Sequence, residues 1–239
     1  MDKKVKSEVL AIIPARADSK GIARKNLAQL SGKPLIQYTI DAGKSSRLIS
    51  RLILSSDDDE IIEYCKEQGI EIPFKRPKEL AQDDTPMIDV IKHAVAFLEE
   101  KESYRPHYIV ILQPTSPLRT STHIDEALGT LINSDADSTV SVMEVPHQFN
   151  PYSVMKWEEG HLKLFLPYDE RKNLRHLKPK FYARNGAAIY AFTYKCLVDK
   201  DSIYGEKILP YFMGREESVD IDSVFDLQQA EILLKNRQK

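Results

Sequence analysis

The chain has 239 residues, a formal net charge of −2 at pH 7 and a hydrophobic fraction of 42%. These values suit one folded α/β domain with a substantial core, and they exclude a disordered tail. The near-neutral charge argues against bulk nucleic-acid binding, which usually needs a strongly basic face. No apolar run approaches the roughly 18 residues that a membrane span needs.

Short apolar runs alternate with amphipathic segments up to Val145. Apolar runs of this kind are typical of strands in a parallel sheet that is covered on both faces, and the amphipathic segments are typical of helices. The alternation predicts a doubly wound, mostly parallel α/β sheet. The predicted strands are 8–15, 51–56, 70–74, 108–114 and 138–144, and the predicted helices are 34–46, 58–69, 86–100 and 121–134.

The pattern changes after Val145. Residues 146–184 are rich in Pro, His, Lys and Arg, and we interpret them as an inserted arm, a hairpin candidate, within a single domain spanning 1–239. A strand at 186–192 then resumes the domain. A short strand, a turn and a helix over 218–237 complete it.

The two cysteines, Cys65 and Cys196, form no CxxC or zinc-binding pattern. We expect both to be reduced core residues. The basic N-terminal residues precede an apolar run that is short and follows Glu8, which fits a buried first strand better than a signal peptide. We therefore expect a soluble cytoplasmic protein.

The stretch PARADSKGIARKN (14–26) follows the first predicted strand, where ligands bind in open α/β sheets. Ser19 and Gly21 offer a hydroxyl group and an approachable backbone amide. Such a loop could neutralise a triphosphate, although a solvated basic turn is the alternative, and neither the Walker A nor the GxGxxG spacing is present. The cations of the loop are Arg16, Lys20, Arg24 and Lys25.

Two carboxylates recur in SVDIDS (218–223). In a strand, Asp220 and Asp222 would share one face and repel each other unless a cation lies between them. Oxygen ligands of this kind suit Mg²⁺. The alternative is that Asp222 or Ser223 caps the last helix, and the two interpretations are compatible.

The stretch LQPTSPLR (112–119) ends a predicted central strand. Gln113 can read hydroxyl, amide or carbonyl groups on a ligand. A proline-rich turn that caps helix 121–134 through Ser121 is the alternative for Thr115 and Ser116.

Together these stretches resemble the acylneuraminate cytidylyltransferases, or CMP-sialic acid synthetases, and the related CMP-legionaminate synthetases. The similarity covers nearly the whole chain. The matching stretches are IIPARADSKGIARKN, KRPKELAQDD, LQPTSPLRTSTHIDEA, NGAAIY and DIDSVFDLQQAE. Several ordered motifs are far more specific than any one of them.

The resemblance implies a Rossmann-like nucleotidyltransferase that uses CTP, Mg²⁺ and a nine-carbon acid sugar. The sugar's anomeric hydroxyl attacks the α-phosphate and displaces pyrophosphate, and positioning and electrostatics carry most of the catalysis. It assigns catalytic roles to Arg16, Lys25 and Asp222, and metal binding to Asp220 and Asp222. The nucleotide-binding residues that it implies are Arg16, Ser19, Lys20, Lys25, Asn26 and Arg76.

The resemblance also implies a homodimer, in which the inserted arm reaches the neighbouring subunit's sugar site. Gln113 matches a sugar-contacting residue, and Arg175 matches an arginine that reaches the sugar's charged end. A surface arginine on a basic arm is the alternative for Arg175. Tyr190 is a sugar-pocket candidate that could instead fill the core.

Asp18 departs from the glycine that many family members have at this position. We expect it to shape the loop, with a positive φ or an Asx-turn, and to point away from the phosphates. Two alternatives to the main activity stay open. One is the same reaction on legionaminate or another nonulosonate, with CTP or GTP, and the other is a nucleotide- or sugar-binding module without catalysis.

Overall fold

The computed structural model describes residues 7–18, 21–169, 174 and 176–237. The helices of this part are α1 (Leu35–Lys44), α2 (Asp59–Glu67), α3 (Met87–Glu102), α4 (Ser121–Ile132), α5 (Tyr194–Asp199) and α6 (Val224–Arg237). The strands are β1 (Val9–Pro14), β2 (Gln29–Leu30), β3 (Lys33–Pro34), β4 (Arg51–Ser55), β5 (Tyr108–Ile111), β6 (Ser138–Glu144), β7 (Met155–Glu158), β8 (His161–Leu164), β9 (Tyr182–Arg184), β10 (Tyr190–Thr193) and β11 (Ile208–Phe212).

The central sheet has the strand order β11-β6-β10-β5-β1-β4, and β9 pairs with β6. β1 is parallel to β4 and β5, and β6 is parallel to β11, whereas β10 is antiparallel to both of its neighbours. Helices pack on both faces. The predicted α/β fold with a mostly parallel sheet is confirmed.

The alternation of side chains along β1 explains why the whole strand is apolar. Leu10 and Ile12 contribute to the cluster that contains α3, whereas Val9 and Ala11 contribute to the cluster that contains α4. Ile13 packs in a third cluster with residues of α1 and α2. A strand that is covered on both sides needs apolar residues at every position.

The helix predictions are confirmed within a few residues, and local caps explain their starts. Asp58 accepts hydrogen bonds from the amides of Glu60 and Ile61 at 2.8 and 2.9 Å, so that α2 begins at the acidic cluster. The Thr120 side chain accepts from the amide of His123 at 3.3 Å and caps α4, so the cap lies one residue before the expected Ser121. No helix in the described part of the chain is long and apolar enough to cross a membrane.

Two strand predictions were wrong. The run 70–74 contributes only an isolated parallel bridge between Ile53 and Glu71 at the open edge of the sheet. Residues 218–223 form no strand, and Ile221 instead donates its amide to the Thr115 carbonyl at 2.9 Å. In both places a short apolar stretch is buried without a neighbouring strand along its length.

Two connections matter for function. The chain leaves β1 toward β4 and later enters β5 on the other side of β1, so the carboxyl ends of β1 and β5 flank a topological switch point. Ligands of open α/β sheets bind at such points. Within 146–184, β7 and β8 form a separate antiparallel hairpin, whose turn at Glu159 and Gly160 has φ values of 51° and 80°.

Candidate active site

A cleft of about 590 Å³ opens at the carboxyl ends of β1 and β5. Its walls come from the loop after β1, the loop after β5 and the segment before α6. The lining residues are Pro14, Arg16, Asp18, Gly21, Lys25, Asn26, Arg76, Met87, Gln113, Pro114, Thr115 and Asp222. Most of the polar residues singled out from three distant stretches of sequence therefore meet in one place.

Lys25 joins the loop after β1 to the segment before α6. Its Nζ donates to the Ile221 carbonyl at 2.7 Å and to Asp222 Oδ1 at 2.9 Å. The Lys25 side chain is 14% exposed and that of Asp222 is 77% exposed, so the pair lies at the wall with the carboxylate toward solvent. Gly21 allows this approach, because a Cβ there would lie 1.9 Å from the Asp222 carbonyl oxygen.

Asp220 lies behind this pair. Its Oδ1 is buried and has no hydrogen-bond partner in the part of the chain that the structure describes. Burial raises the pKa of Asp220, the charge of Asp222 adds to this, and Thr115 and Lys25 oppose it. A buried, unpartnered carboxylate oxygen next to a second carboxylate is a donor set that fits a hard divalent cation such as Mg²⁺.

The protein would supply only part of such a coordination shell. Within the described ranges, no group of three or more His, Cys, Asp or Glu side chains could hold a metal ion. The helix-cap alternative applies to Ser223 rather than to Asp222. Ser223 Oγ accepts from the Asp226 amide at 3.4 Å at the start of α6, while Asp222 Oδ1 accepts from Lys25.

The guanidinium groups of Arg16 and Arg76 differ in their surroundings. Arg16 Nη2 lies 2.7 Å from Asp83 Oδ1 at the edge of the cleft. Arg76 is buried and donates to the carbonyl and the hydroxyl group of Ser55 at the end of β4. Burial lowers the pKa of Arg76 to about 10, Asp57 opposes this and the charge of Arg16 adds to it.

Asn26 and Asp57 hold the backbone of the loop. Asn26 Nδ2 donates to the Arg16 carbonyl at 3.0 Å, and Asp57 Oδ1 accepts from the Ala17 amide at 3.0 Å. Asn26 thus lines the cleft, but its side-chain amide group is hydrogen-bonded to the backbone of the loop. Asp57 was missed in the sequence, where its stretch reads as the start of a helix.

Two other residues of the loop after β1, Asp18 and Arg24, are placed differently from the expectation based on the sequence. Asp18 is exposed and lines the cleft, and it is not among the described residues with positive φ; in this loop Arg24 has one, at 52°. The Arg24 guanidinium lies 2.6 Å from Glu60, away from the cleft lining. Ser19, Lys20 and Arg175 lie outside the described residues.

A second cavity of about 630 Å³ adjoins the cleft through Gln113, which lines both. Its other lining residues are Tyr182, Ala183, Arg184, Gly186, Ala187 and Tyr190. Tyr190 lines this cavity, is 7% exposed and also belongs to the hydrophobic core. Burial raises the pKa of Tyr190 to about 12, with the nearby Tyr204 adding to the shift.

Arg184 supplies the positive charge of this second cavity and was also missed in the sequence. Its Nη1 donates to the Tyr204 hydroxyl group, and its guanidinium lies 5.4 Å from the Tyr204 ring centroid. The position directly before NGAAIY was the available signal. Gly186, with φ of +69°, brings this cavity close to Asp220, because a Cβ there would lie 2.1 Å from Asp220 Cγ.

The comparisons with known proteins agree with this arrangement. The cytidylyltransferase family model matches residues 10–235. The chain is 31% identical to the post-translational flagellin modification protein B of Campylobacter coli, over 97% of each chain. It is 33% identical to an N-acylneuraminate cytidylyltransferase of Escherichia coli, over 98% of this chain and 54% of the relative, and thus spans about half of that protein.

A pseudaminic acid cytidylyltransferase of Campylobacter jejuni is 29% identical, over 95% of this chain and 96% of the relative. Among solved structures, a CMP:2-keto-3-deoxy-manno-octonic acid synthetase complexed with CTP superposes with a TM-score of 0.71 at 15% identity, over 97% of this chain and all of that one. At this low identity, the similarity to the solved structure concerns the fold alone. The chain belongs to the cytidylyltransferase family and is a nucleotidyltransferase enzyme.

Proposed function

We propose that this enzyme transfers CMP from CTP to the anomeric hydroxyl group of a nine-carbon acid sugar and releases pyrophosphate. One observation carries the proposal: a cation-lined cleft at the switch point of the sheet adjoins a second, tyrosine-lined cavity through Gln113. Two substrates that must react with each other need neighbouring sites. The names of the relatives support both substrate classes.

On this proposal, Arg16, Lys25 and Arg76 hold the nucleotide. Charge develops on phosphoryl oxygens during the transfer, and fixed cations stabilise it at no cost of reorganisation. Lys25 is fixed in place because it is bonded to Ile221 and Asp222. The resemblance adds Ser19 and Lys20 to the same loop, and Asn26 supports the loop through the Arg16 carbonyl.

Asp220 and Asp222 would hold a Mg²⁺ ion. The unpartnered, buried Oδ1 of Asp220 supports this assignment. When bound, the ion would neutralise phosphate charge and complete its shell with phosphate oxygens and water. The residues of the chain contribute by fixing where that charge lies, since Gly21 brings the loop after β1 against the backbone carbonyl of Asp222 and Gly186 brings the second cavity against the Asp220 carboxylate.

Gln113, Arg184 and Tyr190 would bind the acid sugar. Arg184 can pair with a carboxylate, and the Gln113 amide and the tyrosine hydroxyl groups can bind sugar hydroxyl or acyl groups. An N-acylneuraminate is our first candidate. The named relatives take different sugars at similar identity, 33% and 29%, so legionaminate and pseudaminate belong in the same test.

We further propose that residues 146–184 form a dimerisation arm and that the enzyme works as a homodimer in the cytoplasm. Large apolar side chains on and beside the β7–β8 hairpin are exposed, among them Trp157 at 72%. A partner subunit would cover them and bring Arg175 toward the sugar. Cys65 and Cys196 are both free and buried, which supports a reducing compartment.

The experiment is a pyrophosphate-release assay with CTP and GTP, with and without Mg²⁺, across N-acetylneuraminate, legionaminate and pseudaminate. We expect turnover with CTP and one of these sugars. Asp222→Asn should abolish it, and Asp135→Asn serves as the control, since that carboxylate pairs with Lys207 at the opposite end of the sheet and is 84% exposed.

CTP binding without turnover on any sugar would contradict the proposal and favour a binding module. Turnover with GTP alone would assign a different nucleotide. Equal losses in the two aspartate variants would remove the metal-binding assignment.

A further inference from the structure

Arg119 is a fully buried cation at the end of LQPTSPLR. Its residue surface is 3% exposed, and no carboxylate pairs with it within the part of the chain that the structure describes. Burial lowers the pKa of Arg119 to about 9. Its Nε is buried without a hydrogen-bond partner among the described residues. A charge in this setting is costly, and an apolar side chain of the same volume would fill the space at lower cost.

The donors of Arg119 reach the backbone of both cavities. Nη1 donates to the Gln113 carbonyl at 3.1 Å and to the Ala188 carbonyl at 2.9 Å, and Nη2 donates to Thr39 Oγ1 at 2.6 Å. Gln113 lines both cavities, and Ala188 directly follows Ala187, which lines the second. One guanidinium therefore connects the strand end on the nucleotide side with the strand start on the sugar side.

The register of β5 and β10 shows that the hydrogen bonds of Arg119 lie where the backbone ladder between these strands has ended. The antiparallel ladder of β5 and β10 ends with Tyr190 opposite Ile111. Two residues further in the same register, Ala188 would lie opposite Gln113. At that point the two carbonyl groups both accept from Arg119 Nη1. The side chain bridges the two strands where their own ladder has ended.

We propose that Arg119 is a positioning residue for the transfer reaction, which fixes the separation of the ends of β5 and β10 and so places Gln113 between nucleotide and sugar. This inference rests on the proposed cytidylyl transfer. The planar guanidinium donates to both carbonyl groups from Nη1 while Nη2 is fixed by Thr39 Oγ1, whereas a lysine retains the charge on a single nitrogen without this fixed plane. The distinction makes Arg119→Lys the informative variant.

The test compares Arg119→Lys with Arg237→Lys. Arg237 Nη1 also donates to a carbonyl of this loop, that of Leu118 at 2.8 Å, but it bridges no strand ends. We expect Arg119→Lys to lower kcat/KM for the acid sugar by about 10²-fold, the scale of a misplacement near 1 Å. CTP affinity should stay within about threefold, and Arg237→Lys should change neither parameter.

A double-mutant cycle tests whether Arg119 affects the sugar kinetics through Gln113. If Arg119 acts through Gln113, Arg119→Lys should have little further effect in a Gln113→Ala background, since coupled residues are not additive. Additive losses would overturn the proposal, as would unchanged sugar kinetics in Arg119→Lys. An equal loss of CTP and sugar affinity with a lowered Tm would also overturn it and leave a purely structural role.

Calorimetric titration of the acid sugar and CTP separates this inference from the proposed function. If the unchanged chain binds both ligands but gives no product, the proposed reaction is wrong. The binding comparison still decides the role of Arg119, since selective weakening of the sugar supports it and equal affinities contradict it. Arg119→Met, which has no donors, is a second variant that should show the larger loss of sugar binding.

Discussion

The two cavities that meet at Gln113 are lined by different kinds of side chains. In the cleft that we assign to the nucleotide, two cations are already paired with acids, Arg16 with Asp83 and Lys25 with Asp222, whereas Arg76 is bonded to Ser55. In the second cavity Arg184 lies against the ring and hydroxyl group of Tyr204. The cleft thus combines several charges of both signs, whereas the second cavity combines one cation with aromatic and amide groups.

This difference matches the charge of the two proposed ligands. A triphosphate carries several negative charges. To bind Arg16 and Lys25, it must displace the acids that already pair with them, or bind together with an additional cation. An acid sugar brings one carboxylate and many hydroxyl groups, which suit one guanidinium and several hydrogen-bonding side chains. Changes in each cavity should therefore affect one substrate more than the other.

Lys25→Met should give the largest loss of activity. The variant removes the cation that holds both Ile221 and Asp222, and we expect kcat to fall by about 10³-fold at saturating sugar. Steady-state kinetics measure this. Lys33→Met is the control, because Lys33 pairs with Asp41 away from the cleft lining. A fall below tenfold would remove Lys25 from the catalytic group.

Gly186→Ala should damage the contact between the second cavity and Asp220. The new methyl group would be placed 2.1 Å from Asp220 Cγ, at a backbone φ of +69° that disfavours alanine. We expect a loss of about 1–3 kcal/mol in the free energy of unfolding and at least a tenfold fall in kcat. Denaturant unfolding and kinetics check both effects. Gly160→Ala, in the hairpin turn with φ of +80° and no nearby atom, controls for backbone strain alone.

Trp157→Glu should separate the second cavity from its proposed partner. The substitution places a charge on the exposed face of the arm, which we expect to dissociate the dimer and raise KM for the acid sugar about tenfold. CTP affinity should change little. Sedimentation with kinetics would show this, and a variant that remains dimeric with normal KM would exclude Trp157 from the interface.

Asp137→Asn should change stability without changing either cavity. Hydrogen bonds from Lys200 and from the amides of Lys207 and Glu206 hold the pKa of Asp137 at about 2, below its ordinary 3.8. The carboxylate therefore stabilises the fold above about pH 4, and this contribution is lost as the pH falls through 2. We expect the variant to melt about 2–4 °C lower at pH 7.

The gap in Tm between the two proteins should narrow as the pH approaches 2. Thermal unfolding across that range, with kinetics at pH 7, measures both effects. A constant gap at all pH values would contradict the assigned role of the carboxylate, and altered substrate KM values would show that Asp137 is not remote from the cavities.

The lining of the cleft that we assign to the nucleotide was largely predictable from the sequence, because its residues lie in compact polar stretches and those after β1 and β5 follow buried strands. Arg16, Lys25, Asn26, Arg76, Gln113 and Asp222 all line it. The mostly parallel sheet was predictable for the same reason, since doubly buried strands are apolar throughout. Asp57 and Asp83 could not be predicted, because they contact the loop after β1 only through the fold.

The second cavity was much less predictable. Its wall comes from β9, β10 and the turn between them, where YARNGAAIY shows no charge cluster around Arg184. The bridge from Arg119 to Ala188 joins residues far apart in the chain, so no local pattern reveals it. The strand predicted at 218–223 failed because Asp220 and Asp222 are placed by single contacts rather than by a ladder.

CTP and acid-sugar affinities measured side by side for Arg76→Met and Arg184→Met test most directly whether the two cavities bind different substrates. We expect a crossed pattern: Arg76→Met weakens CTP binding at least tenfold and leaves the affinity for the sugar unchanged, and Arg184→Met does the reverse. If both variants weaken the same ligand, or neither weakens the one assigned to it, the division into a nucleotide cleft and an acid-sugar cavity is wrong.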